Sequence, residues 1–302
     1  MKVFVTGAAG FIGGSIAAGL VKAGHEVVGL VRKPEQLDEL ARIGVAGVVG
    51  TLTDRDLLIA QAQAADAVIN AASSDNRAAV EAFIDALSGS GKAFLHTSGS
   101  SIVGDASGGE GTEHVYFEDN LPEPTADKAA RVAIDQLVLA AADQGVRSAV
   151  LCNTLIYGHG ALPRDSVQLP RLLKQARKSG IVRHVGRGLN SWSSVHIDDV
   201  VDLYLLALEK TEAGAFYFVE SGEASFREMS TAIARALNLG EPQDWPLEQA
   251  KEEWGYEMAS YGLGCNSRVR GQRARTQLGW KPHRPTVLDW IANDMLSPDK
   301  AH

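Results

Sequence analysis

Gly7, Gly10 and Gly13 recur at intervals of three, between the apolar run Val3-Phe4-Val5 and an amphipathic stretch from Ile16 to Ala23. Each glycine answers a different steric demand: a tight turn off a strand, close approach of the backbone to a ligand, and close packing of a helix on a sheet. A helix beginning there presents amides without intrahelical partners and a partial positive charge, both suited to phosphate oxygens. Gly7, Ala9, Gly10, Phe11, Ile12 and Gly13 are therefore the candidate cradle of a dinucleotide pyrophosphate. The next strand, Val27 to Val31, ends in Arg32-Lys33 with no acid at its tip. An acid there would bond the 2′-hydroxyl of NAD, whereas a guanidinium takes a 2′-phosphate through two hydrogen bonds. This favours NADP(H) over NAD(H), with a merely solvated basic strand end as the other reading.

These residues need a sheet to hold them. Apolar strands are expected at 2–6, 26–32, 45–50, 66–71, 92–97 and 147–152, with helical patterns near 11–23, 34–43, 54–64, 76–89 and 126–144. Such alternation predicts an α/β fold, a doubly wound parallel sheet covered on both faces, which binds ligands at the carboxyl ends of its strands. Beyond about residue 160 the rhythm breaks into helices near 165–179, 196–210, 225–238, 246–254 and 268–278, with short strands such as Ala215 to Val219. The expected organisation is a nucleotide domain over 1–160 and a smaller, mostly helical substrate lobe over 161–302 that partly returns to the sheet. Residues 99–112, rich in Gly and Ser, are expected to form a mobile loop at a strand end.

The chain of 302 residues, 45% hydrophobic, is long enough for a full core. Its formal charge of -8 argues against a nucleic-acid partner. Cys152 and Cys265 are the two cysteines, too few for a disulfide framework or a zinc site, so a reducing cytoplasm is expected. No segment reaches the roughly 20 apolar residues of a membrane span. The apolar start is too short for a signal peptide.

Several stretches together resemble the extended short-chain dehydrogenase/reductase superfamily, often labelled NAD-dependent epimerase/dehydratase. They are Thr6 to Gly13, Asn70-Ala71-Ala72-Ser73, Phe94 to Gly99, Leu155-Ile156-Tyr157-Gly158, Ser194 to Val200, and Leu278-Gly279-Trp280-Lys281-Pro282. The resemblance covers nearly the whole chain and implies a Rossmann domain with a C-terminal substrate lobe. It implies that backbone around Leu52, Ala71 and Ala72 lines the adenosine and pyrophosphate channel. It also implies that Thr97 to Gly99 and Asn153 to Leu155 lie by the nicotinamide. A homodimer through a helix pair on the Rossmann face is common in the superfamily, and the sequence leaves oligomeric state open.

The departures bear on mechanism. Typical members carry a Ser or Thr after the fifth strand and a Tyr-x-x-x-Lys on the next helix, the Tyr moving the proton and the Lys lowering its pKa. Here the register puts Asp127 at the Tyr position and Arg131 at the Lys position; shifting it to Lys128 puts Pro124 at the Tyr position. The Ser position falls on Gly99. The chain thus resembles an atypical subgroup without the usual acid and base. Arg131 keeps the charge and donors to hold the nicotinamide ribose. Asp127 and Arg131 are also spaced i,i+4 as a helical ion pair.

Replacement proton donors are Ser98, Ser100 and Tyr116, and Asp127 if its pKa is raised. Tyr157 and His96 read more naturally as structural residues, and His196-Ile197-Asp198-Asp199 as a helix start with Asp capping. A metal site from His184, His196 and the two Asp lacks recognisable ligand spacing, so no metal is expected. Arg268, Arg270, Arg273 and Arg275 suit either a phosphate or carboxylate clamp or a solvated, ion-paired helix. Trp192, Trp254, Tyr256 and Tyr261 suit either a pocket wall or the core. The sequence reading is an NADP(H)-dependent oxidoreductase acting on a small carbonyl or hydroxyl compound. Alternatives are a non-catalytic NADP(H) sensor and a sugar-nucleotide epimerase or dehydratase.

Overall fold

Successive residues of the first strand serve different cores. Val3 and Val5 pack in one apolar cluster, and Phe4 between them packs in another. Leu95 and Phe94 divide in the same way, as do Leu151 and Val150. A strand's side chains alternate in direction, so two cores mean a sheet covered on both faces.

The computed structural model describes residues 1–297. Strands β1 (Lys2–Thr6), β2 (Glu26–Val31), β3 (Ala46–Val49), β4 (Ala67–Asn70) and β5 (Ala93–Gly99) alternate with helices α1 (Phe11–Lys22), α2 (Gln36–Arg42), α3 (Arg55–Ala64) and α4 (Arg77–Leu87). Then α5 (Ala129–Ala140) precedes the strand Arg147–Asn153. The seven-stranded sheet has the order Ala215–Val219, Arg147–Asn153, β5, β4, β1, β2, β3. Every pairing in it is parallel. The winding reverses beside β1, which opens a crevice at the carboxyl ends of β1 and β4. This is the expected doubly wound Rossmann architecture.

The chain crosses into the smaller lobe at Leu155–Tyr157, which pairs with Ser191–His196; that strand also pairs antiparallel with Gly222–Ser225. Leu155, Tyr157, Leu172, Trp192, Phe226 and Met229 form part of a third core there. Helix α6 (Leu169–Ser179) belongs to this lobe, whereas α7 (Ile197–Lys210) returns to the large sheet and packs Leu203 and Tyr204 into the first core. The smaller lobe is mostly helical, as expected, and carries three short sheets of its own or shared with neighbouring segments.

Three local expectations change. The helix expected from 165 starts at Leu169, because Pro170 suits a first turn. The helix expected over 268–278 shrinks to Arg273–Gln277, and Val269–Arg270 instead pairs with Tyr116–Phe117. Gly271 lies between them with no room for a Cβ, which would stand 2.2 Å from the Phe218 carbonyl oxygen. The loop at 99–112 is tied down: the Asn266 amide donates to Asp105 Oδ2, Ser107 Oγ and the Glu110 carbonyl at 2.8–3.1 Å.

Candidate functional site

The glycine turn sits where β1 runs into α1. Gly7 adopts φ +69°, and a Cβ on it would lie 2.6 Å from the Ala71 carbonyl oxygen. A Cβ on Gly13 would lie 2.3 Å from the Gly7 carbonyl oxygen. Both obstructions are backbone, so no rotamer change relieves them. Gly10 caps α1, whose first turn carries no acid. The amides opening α1 thus face outward without a competing carboxylate, and this cradle fits a dinucleotide pyrophosphate.

A cavity of about 370 Å³ runs from this turn along the strand ends. Gly10, Phe11, Ile12 and Gly13 line it on one side; Ala71, Ala72, Thr97, Ser98, Gly99 and Asn153 continue the wall. The segment Asp165 to Gln168, just before α6, closes the far side. Sequence reasoning missed this segment because it absorbed those residues into the helix; Pro170 was the signal for a later start. Ser73, Ser74, Thr154 and Ile156 also line the cavity.

The polar groups of the strand ends are cross-linked beneath the cavity. Thr97 Oγ1 lies 2.8 Å from the Tyr204 hydroxyl, and Asn153 Nδ2 donates to the same oxygen at 3.1 Å. The Thr6 hydroxyl donates to Asn70 Oδ1 at 2.6 Å, and the Ala72 amide donates to Thr6 Oγ1 at 3.3 Å. Burial pushes the Tyr204 phenol up to about 12, so it remains protonated at neutral pH. These bonds hold Thr97, Asn153 and Ala72 in place.

On the other face of β5, the Ser98 hydroxyl donates to Asp135 Oδ2 at 2.7 Å. Asp135 is 2% exposed, and burial pushes its carboxyl up to about 7 against the pull of Ser98 and Arg131. His96 Nε2 lies 3.8 Å from Asp135 Oδ1, and neither atom has a hydrogen-bond partner. Burial holds His96 down to about 4, hence neutral. Its Nδ1 lies 3.1 Å from Asn70 Nδ2. Asp135 escaped the sequence reading, although an acid flanked by Ile134 and Val138 on a helix was a visible anomaly.

Arg131 reaches the edge of the cavity, its Nη1 3.7 Å from where a Cβ on Gly99 would stand. It bonds Asp75 through two nitrogens and donates to Ser101 Oγ at 2.9 Å. The expected Asp127–Arg131 pair does not form. Asp127 lies in the turn before α5, outside helical geometry, and pairs with Lys128 at 3.2 Å. Although burial opposes it, bonds from Thr125 and Lys128 hold the Asp127 carboxyl below its ordinary value, which is the opposite of what a proton donor needs.

Other candidates also fall away from the cavity. Ser100 is fully buried and bonded to Ser267 at 2.7 Å. Tyr116 pairs in the short strand with Val269 and packs against the second core. Leu155 is wholly buried in the third core, because its strand has already left the large sheet. Leu52 packs on the second core and is not part of the cavity lining. Arg32 and Lys33 are exposed beyond β2, outside that lining; their amides donate to Gln36 Oε1 at 3.1 Å.

The four arginines form no anion clamp: Arg268 and Arg270 hold Glu223, Arg273 holds Asp119, and Arg275 holds Glu220. Trp192 is buried and donates to the Cys265 carbonyl, Trp254 stacks edge-on with Trp245, and Tyr256 with Tyr261. At the start of α7 the cap is His196, whose Nδ1 accepts from the Asp198 amide at 3.1 Å. Asp199 instead accepts from the distant His283 and Arg284 amides. The Tyr157 hydroxyl donates to the Pro285 carbonyl, a structural tie. No described helix is long and apolar enough to cross a membrane.

The chain is similar to a Schizosaccharomyces pombe protein of uncharacterised function, 32% identical over 97% of this chain and 99% of its own. A 2-alkyl-3-oxoalkanoate reductase of Stenotrophomonas maltophilia (strain K279a) is 30% identical over 78% of this chain and 76% of its own. A UDP-glucuronic acid 4-epimerase structure from Bacillus cereus shares the fold, with a TM-score of 0.76 at 20% identity and 96% of each chain covered. The model of the NAD-dependent epimerase/dehydratase family matches residues 3–217. With the glycine cradle, the reversing parallel sheet and the strand-end cavity already in place, this match means that the chain belongs to the NAD-dependent epimerase/dehydratase family and is an NAD(P)-dependent oxidoreductase of the short-chain dehydrogenase/reductase type.

Proposed function

We propose that the protein reduces the carbonyl group of a small organic compound, or oxidises the corresponding alcohol, with NADP(H). The observation that carries this reading is one cavity that joins the glycine cradle to the strand-end residues Thr97, Ser98 and Asn153. Gly7 to Gly13 would hold the pyrophosphate, and Arg131 the nicotinamide ribose. When bound, the cofactor supplies hydride in its reduced form and accepts it in its oxidised form. The protein's share is to hold the carbonyl in a near-attack geometry, exclude water and move one proton at the carbonyl oxygen.

Arg32 and Lys33 support NADP(H). Neither side chain has a carboxylate partner among the described residues, so both are available to a 2′-phosphate. The reductase name of the Stenotrophomonas relative supports a keto group on a small acid or related compound as the substrate class.

The test is titration of NADPH and NADH into purified protein, followed by an aldehyde, ketone and quinone panel read at the nicotinamide absorbance. Tight NADPH binding with carbonyl-dependent oxidation is the expected result. Binding without turnover on any compound would overturn the reading.

A further inference from the structure

We propose that Asp135, acting through the Ser98 hydroxyl, supplies the proton to the substrate oxygen. This rests on the carbonyl-reduction reading above.

Three observations converge on it. Ser98 lines the cavity, and its hydroxyl bonds a buried carboxyl at 2.7 Å. That carboxyl has no neutralising partner, because Arg131, one helical turn away, is engaged by Asp75 and Ser101. Its second oxygen is buried without a hydrogen bond, as is the nearest imidazole nitrogen, His96 Nε2. A carboxylate in such a place carries a large desolvation cost, so the neutral acid is favoured.

The groups facing it are few. From β5 come Ser98 and His96, which burial keeps neutral. From α5 comes Arg131, whose charge pulls the carboxyl down, and from the loop after β4 comes Asp75, which pushes it up. From Arg147–Asn153 comes Cys152, whose thiol burial holds well above its ordinary value. The balance puts the Asp135 proton within reach of neutral pH.

The direction of the Ser98 bond then follows the charge. As a carboxylate, Asp135 accepts the Ser98 proton. As an acid, it donates to Ser98 Oγ and frees the hydroxyl to turn toward the cavity. In reduction the substrate oxygen takes the Ser98 proton, Ser98 Oγ takes the Asp135 proton, and Asp135 is left ionised until solvent returns one. The carbonyl carbon takes the hydride from the reduced nicotinamide co-reactant. Protons and electrons balance.

The first measurement is a ¹³C NMR titration of aspartate carboxyls in the cofactor-free protein, with Asp135 assigned by its loss in Asp135→Asn. A midpoint near neutrality is expected, moved upward in Ser98→Ala, which loses a bond that stabilises the ionised form. A midpoint in the ordinary carboxylate range would overturn the relay. The second is turnover across pH: Asp135→Asn should lower kcat about 100-fold and abolish the pH step, with NADPH affinity retained. Ser98→Ala should do the same, and carries the test should Asp135→Asn fail to fold. Wild-type turnover with an unchanged profile in the variants would overturn the relay alone. A wild type inactive on every carbonyl would overturn the carbonyl reading and the relay with it.

Discussion

Arg131 grips Asp75 through both forks of its guanidinium, Nε to Oδ1 at 2.8 Å and Nη2 to Oδ2 at 2.6 Å. The bond joins α5 to the loop after β4, across the edge of the cavity. The same contact holds the Asp75 carboxyl below its ordinary value. Arg131→Ala should weaken NADPH binding about tenfold, through the lost donors and the loosened loop. Arg131→Lys keeps the charge but loses the fork and should recover only part of the affinity. Fluorescence titration of the cofactor checks both; unchanged affinity would make the residue purely structural.

If Arg32 binds the 2′-phosphate as proposed, Arg32→Asp should weaken NADPH by tenfold or more, through a lost charge-assisted bond and added repulsion. NADH should be affected far less. Parallel titrations decide the matter, and equal weakening of both would remove Arg32 from the phosphate.

Gly13→Ala places a methyl against the Gly7 carbonyl, which belongs to the glycine turn itself. The helix must move off the sheet, at about 1–3 kcal/mol, and the cradle distorts with it. Urea denaturation and cofactor titration should therefore fall together. A variant that lost binding at full stability would point to a local change only.

Tyr204→Phe removes the one hydroxyl that Thr97 and Asn153 share. Two buried polar groups lose a partner, at about 1–3 kcal/mol for each group left unsatisfied. Stability should fall and KM for the carbonyl should rise, as measured by denaturation and steady-state kinetics.

Asp135 and His96 tilt stability in opposite directions with pH. Asp135 is raised from 3.8 to about 7, so the native state holds a proton that the unfolded chain has released. Its stabilising contribution is complete below about 3.8, is lost as pH rises toward 7, and is flat above. His96 is lowered from 6.5 to about 4, so its contribution is present above 6.5 and lost as pH falls toward 4. Asp135→Asn removes the first slope and should stabilise the protein at pH 8 relative to pH 5, by on the order of 1–4 kcal/mol. Urea midpoints at the two pH values test this; parallel behaviour of wild type and variant would mean that Asp135 ionises freely.

The large sheet and the glycine turn were legible because their causes are local. The apolar run Val3-Phe4-Val5 and the spacing of Gly7, Gly10 and Gly13 express sterics over a few residues, and the helix start at Phe11 follows directly. The acid and base chemistry was not legible for the opposite reason. Arg131 had a plausible partner four residues away in Asp127, yet Asp127 lies before the helix begins, and Asp75, 56 positions distant, takes its place. Ser98 and Asp135 are 37 positions apart and meet only because α5 packs across β5. The arginines after Asn266 likewise meet acids from other elements. The sequence by itself determined which segments become the strands of the large sheet, where the glycine turn lies and which basic residues stand at the tip of β2. Only the tertiary structure decided which charge faces which, because a side chain's partner and its burial depend on how distant elements pack, and periodicity along one element carries no record of that.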